Sequence, residues 1–110
     1  MEVLSRIKRL ILQGRYRFTR KALGELRMDD LDKVDALEAI INANVIKKTL
    51  RSKSPHGARG REKLYIIEGF TYRGTLIYTK GKITRECGEE VYYVFISSKR
   101  STYADHAGSD

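Results

Sequence analysis

The feature that most limits what this chain can fold into is a change in the spacing of its apolar residues at Asn44. Before that point they recur every three or four positions, as the buried stripe of a helix requires; after it, β-branched and aromatic residues alternate at strand spacing. Val3, Leu4, Ile7, Leu10 and Ile11 mark a first helix that Gly14 should end. A short extended piece at 15–18 leads to Thr19, suited to cap a second helix that carries Ala22, Leu23 and Leu26 and ends near Met28. Asp29 or Asp30 can cap a third, through Leu31, Val34, Leu37, Ile40 and Ile41.

Beyond Asn44 the pattern predicts strands at about 45–50, 63–70, 74–84 and 90–99. Tyr72-Arg73-Gly74 and Cys87-Gly88-Glu89 are the expected turns, and the loop 52–60 carries the sole proline and His56. Connections this short force the last three strands into an antiparallel meander. The expected fold is therefore α+β, with three N-terminal helices packed on a four-stranded, mostly antiparallel sheet in one domain over 1–100, followed by a disordered tail at 101–110.

Charge narrows the function. Twenty-two Lys and Arg against fourteen Asp and Glu give a formal +8, which points to a polyanionic partner. Residues 29–44 are locally −4, leaving +12 on the remainder. The acids fall where the opening turns of a helix favour them, which is a structural rather than a catalytic reason for the patch. The cations gather in 45–63, where Lys47, Lys48, Arg51, Lys53, Arg59, Arg61 and Lys63 face only Glu62. Such a run reads either as a solvated loop or as a basic stripe on one side of the fold.

The single Cys87 and the lack of paired Cys or His spacings predict no structural metal, no cofactor and a reducing, cytoplasmic compartment. No apolar run is long enough to span a bilayer, so no membrane partner is expected.

Tyr65, Tyr72, Tyr78, Tyr92 and Tyr93 lie in or beside the predicted strands. Alternation places Leu76, Tyr78 and Lys80 on one face, and Val91, Tyr93, Phe95, Ser97 and Lys99 on one face of the last strand. Aromatic rings beside cations suit single-stranded RNA, through stacking and phosphate neutralisation. The same tyrosines equally suit a core with hydroxyls at its rim. Walker-type, G-x-S-x-G and H-E-x-x-H patterns are all absent. Cleavage of RNA needs none of them: the ribose 2′-OH is the nucleophile, and Lys, Arg and Tyr can supply the base, the acid and the charge stabilisation.

The run Leu4-Ser5-x-x-Lys8-x-Leu10, then Gly14, then Thr19-Arg20-x-Ala22-Leu23, followed by an apolar helix, a Lys-bearing strand and a last strand ending Ser98-Lys99, resembles the MqsR family of messenger-RNA interferase toxins over residues 3–100. It also resembles the wider RelE-like and BrnT-like set. The resemblance implies a metal-independent endoribonuclease acting on mRNA, free or ribosome-bound, and neutralised by an acidic or RNA-mimicking antitoxin. By position it implies Lys47 (or its neighbour Lys48), Tyr78 and Lys99 as catalytic residues. Lys48, Arg51, His56, Arg59, Arg61, Lys63, Lys80 and Arg100 are the candidates for RNA contact.

The family's glutamine at the start of the second strand has no counterpart at 63–65. Two alternatives stay open: RNA binding without cleavage, and a ParE-like toxin directed at a protein.

Overall fold

The computed structural model describes residues 2–51 and 62–102, and in it a layer of helices packs on a sheet. The helices are α1 (Val3–Leu12), α2 (Arg20–Met28) and α3 (Lys33–Asn42). The strands are β1 (Tyr16–Phe18), β2 (Lys48–Arg51), β3 (Lys63–Phe70), β4 (Leu76–Glu86) and β5 (Glu89–Arg100). They make one five-stranded sheet in the order β1-β5-β4-β3-β2.

The α+β class is as expected, but the sheet has five strands rather than four and is mixed. Tyr16–Phe18 pairs parallel to β5, with Tyr16 opposite Tyr93 and Phe18 opposite Phe95. Three residues are too few to display a strand period, and their partner lies more than seventy residues away. What holds them is backbone bonding to β5, with the Tyr93 amide donating to the Arg15 carbonyl and the Thr19 amide to the Phe95 carbonyl, each at 3.0 Å, and aromatic packing, with Phe18 stacked on Phe95 at 4.2 Å between ring centres.

One face of the sheet carries all three helices. Leu4, Ile7, Leu10 and Ile11 of α1, Ala22 and Leu26 of α2, and Ala36 and Ile40 of α3 close over Tyr65, Ile67, Tyr93 and Phe95. Two of the helices, α2 and α3, carry side-chain N-caps. The Thr19 hydroxyl accepts the Ala22 amide at 3.1 Å. Asp32, rather than Asp29 or Asp30, caps α3, in a reciprocal box with Asp35. Asp29 instead closes the end of α2, and Asp30 takes φ 59° in the turn that follows. Most of the acidic patch thus serves helix ends.

The β4–β5 hairpin turns on Cys87 and Gly88, with φ of 54° and 84°, the left-handed pair that a two-residue hairpin needs. Farther along the hairpin, Lys80 pairs with Ser97 but Gly81 pairs with Phe95, so Ile96 is an extra residue in β5. This bulge reverses the facing of β5. The expectation that Tyr93, Phe95, Ser97 and Lys99 share one face is corrected here: Tyr93 and Phe95 face the helices, while Lys99 pairs with Tyr78 on the opposite face. Gly81 is the residue that lets Tyr93 in, since a Cβ there would lie 2.5 Å from the Tyr93 hydroxyl.

Helix α2 lies along the β5 edge that the short β1 leaves uncovered. The Ser98 amide donates to Glu25 at 3.1 Å and the Arg100 amide to Asp29 at 2.8 Å. Two carboxylates thereby satisfy edge donors that would otherwise recruit another strand. Among the described residues no helix is long and apolar enough to cross a membrane.

Candidate nucleic-acid interface

The face of the sheet away from the helices follows from register, because paired residues share a face. Ile67, Ile77, Thr79 and Gly81 point to the helical side, so Ile66, Glu68, Phe70, Leu76, Tyr78, Lys80 and Lys82 point to the other. Lys48 joins them opposite Ile66, and Lys99 joins them opposite Tyr78.

Across this face runs a row of four polar groups from four successive segments. Lys47, just before β2, donates from Nζ to Glu68 Oε1 at 2.7 Å. Glu68 on β3 stands opposite Tyr78 on β4, which stands opposite Lys99 on β5. The Lys99 ammonium lies 5.3 Å from the centre of the Tyr78 ring, within cation–π range. Ser101 closes the arrangement by donating its hydroxyl to Glu68 Oε2 at 2.6 Å.

The Glu68 side chain is only 10% exposed while that of Lys47 is 29% exposed, so this pair sits at the edge of solvent with its carboxylate nearly enclosed. Beyond Lys99 the row opens into a cleft of about 520 Å³ against α2, lined by Lys21, Gly24, Glu25, Met28 and Asp29. In that wall burial raises the Glu25 carboxyl, but hydrogen bonds from the Ser97 hydroxyl and Ser98 amide, with Lys21 nearby, outweigh it and hold it below its ordinary value.

No family model matches the chain, and no curated protein or solved structure matches it. The geometry of the face therefore stands on its own.

Of the residues singled out from sequence, Lys47, Tyr78 and Lys99 lie in the row, with Lys48 and Lys80 beside it on the same face. Arg51 and Lys63 pair with each other at the far end of β2 and β3, on the opposite face. Lys63 borders a separate cleft with Arg6, Tyr65 and Arg85. Arg100 turns back toward α2, its guanidinium donating to the Asp29 carbonyl at 3.3 Å. His56, Arg59 and Arg61 lie outside the described residues, as does the tail from 103 onward.

Sequence reasoning missed Glu68 and Ser101. Glu68 is an acid in the middle of an apolar strand, Ile66-Ile67-Glu68-Gly69-Phe70, and that placement was the available signal. The tyrosines divide: Tyr65 and Tyr93 are core residues, whereas Tyr78 and Tyr92 belong to the open face. Burial, reinforced by Tyr65, pushes the Tyr93 phenol well above its usual range. Among the described residues no group of three or more His, Cys, Asp or Glu is placed to hold a metal ion.

Proposed function

We propose that this sheet face binds RNA and that Lys47, Glu68, Tyr78 and Lys99 cleave it without a metal, as a messenger-RNA endonuclease toxin. The observation that carries the reading is the row itself: an acceptor, a phenol and two ammonium groups brought from separate segments to one line at the edge of solvent.

Those groups meet the needs of phosphodiester cleavage by an internal nucleophile. The Glu68 carboxylate takes the proton of the ribose 2′-OH as its oxygen attacks phosphorus. The bond to the 5′-oxygen breaks, and Tyr78 gives that oxygen its proton, leaving a 2′,3′-cyclic phosphate and a 5′-hydroxyl. Lys99 and Lys47 stabilise the charge that grows on the non-bridging oxygens, and Lys80 neutralises a neighbouring phosphate.

The likeness in order and spacing to MqsR-type toxins supports the same reading. The formal +8 supports an acidic or RNA-mimicking antitoxin, which such a charge attracts at raised association rate. A second reading, RNA binding without cleavage, is favoured by the 2.7 Å Lys47–Glu68 pair, which engages two members of the row with each other.

The test is incubation of the purified protein with an mRNA transcript in EDTA. Cleavage to cyclic-phosphate ends is expected, falling roughly 100-fold in Lys99→Ala, the scale of losing one transition-state stabiliser, with a nearly unchanged melting temperature. Equal cleavage by the variant removes Lys99 from the mechanism. Salt-sensitive binding of RNA that stays intact leaves the second reading.

A further inference from the structure

A second aromatic–cation pair lies on the same face, at the other end of the sheet. Arg17 of β1 pairs with Val94, and the neighbours of both, Tyr16, Phe18, Tyr93 and Phe95, point into the core. Arg17, Val94 and Tyr92 therefore point outward. The Arg17 guanidinium sits 4.1 Å from the centre of the Tyr92 ring, and Tyr92 is opposite Thr84.

Between this pair and the row, β4 presents Lys80 and Lys82 outward, the latter 3.1 Å from Glu62. Tyr78 and Thr84 are six strand residues apart, about 20 Å at strand rise. The face thus carries a cation over a tyrosine at each end with two lysines between.

We propose that Arg17 and Tyr92 form a remote subsite that stacks a base of a single-stranded RNA laid along β4, several nucleotides from the row. This inference rests on the RNA reading above and extends it to the form of the substrate. An arginine guanidinium over a tyrosine ring offers a base a cationic platform, and Lys80 between the two ends, with Lys82 beside it exchanging Glu62 for phosphate, supplies charge of the sign a phosphate backbone needs. A single strand is the form that fits, because its bases are free to leave their stack and lie on a protein surface, whereas duplex RNA is read through its grooves. An acidic protein chain would meet the cations but has no use for the stacked plane.

The test uses uncleavable 2′-O-methyl RNA, so that binding is read apart from chemistry. A single-stranded oligomer of about ten nucleotides should bind more tightly than a trimer too short to reach both ends. Arg17→Gln and Tyr92→Leu should each weaken the oligomer by roughly tenfold, the scale of one stacked base, and shrink its advantage over the trimer. Arg17→Gln should also reduce the salt slope of log K by about 0.7, the contribution of one phosphate contact to a single strand. Lys33→Gln, which removes an exposed cation from α3, should change neither.

Oligomer binding that is indifferent to both variants overturns the subsite, as does tighter binding of a duplex, or of polyglutamate with the same dependence on Tyr92. The two proposals fail separately. Oligomer binding that depends on Arg17 and Tyr92, without cleavage of ordinary RNA, refutes the nuclease and keeps the subsite; cleavage with no dependence on either residue does the reverse.

Discussion

Two glycine-to-alanine substitutions should change stability in opposite directions. A Cβ on Gly69 of β3 would collide with the carbonyl oxygen of Ala39 in α3 and lie 2.8 Å from its carbonyl carbon and 3.1 Å from its Cα. All three atoms are backbone, so no rotamer change relieves the contact, and α3 would have to retreat by about 1.5 Å to restore ordinary separation. The helix is not free to do so. Asn42 donates to the Phe70 carbonyl at 2.7 Å, and Glu38 accepts the Tyr72 amide at 2.9 Å, tying α3 to the end of β3 and the turn after it.

Overpacking of this kind costs about 1–3 kcal/mol, and a backbone-on-backbone clash belongs at the upper end. For a chain of this size the melting temperature of Gly69→Ala should fall by roughly 10–15 °C. Gly24, inside α2, has no atom within 4 Å of its would-be Cβ. Gly24→Ala should therefore stabilise by about 0.5–1 kcal/mol through helix propensity alone. Urea denaturation with a constant slope measures both. A Gly69→Ala variant as stable as wild type, or a destabilised Gly24→Ala, would refute the helix–sheet packing described here.

Thr19→Ala removes a hydroxyl that accepts from Ala22 and donates to the Ile96 carbonyl at 3.1 Å; a loss of about 1–2 kcal/mol is expected in denaturant titration, with recovery in Thr19→Ser. Tyr93→Phe should keep or raise stability by about 1 kcal/mol, because the buried Tyr93 hydroxyl has no hydrogen-bond partner among the described residues; a clear loss would mean that the hydroxyl is satisfied. Because the Glu25 carboxyl is held below its ordinary value of 4.5, its contribution is complete above that pH and is lost as pH falls through the lowered value. Melting temperatures of wild type and Glu25→Gln should accordingly differ at neutral pH and converge in acid, and a gap that persists undiminished into acid would contradict this.

The long elements were legible because they repeat. α1 shows its buried stripe over about two turns of sequence, and the meander from Lys63 to Arg100 is set by alternation and two short turns. What stayed hidden was set by contacts between distant segments. β1 becomes a strand through its hydrogen bonds to β5, from the Tyr93 amide to the Arg15 carbonyl and from the Thr19 amide to the Phe95 carbonyl, and through Phe18 stacking on Phe95. The facing of Lys99 depends on one extra residue, Ile96, opposite a glycine whose missing side chain admits the Tyr93 ring.

The resemblance implied Lys47, Tyr78 and Lys99 by position, and the fold brings these three to one face. Glu68, which sits between two of them, was passed over because one acid in an apolar strand carries no period. Arg17 and Tyr92 are seventy-five positions apart and meet only through the parallel pairing of β1.

The central claim is that RNA occupies the sheet face opposite the helices. Its most direct test is the amide spectrum of ¹⁵N-labelled protein titrated with the uncleavable single-stranded oligomer. Shifts concentrated at Glu68, Tyr78, Lys80, Tyr92 and Lys99 are predicted, with the outer turns of α1 and α3 unmoved; shifts confined to those helices, or none at saturating RNA, would contradict it.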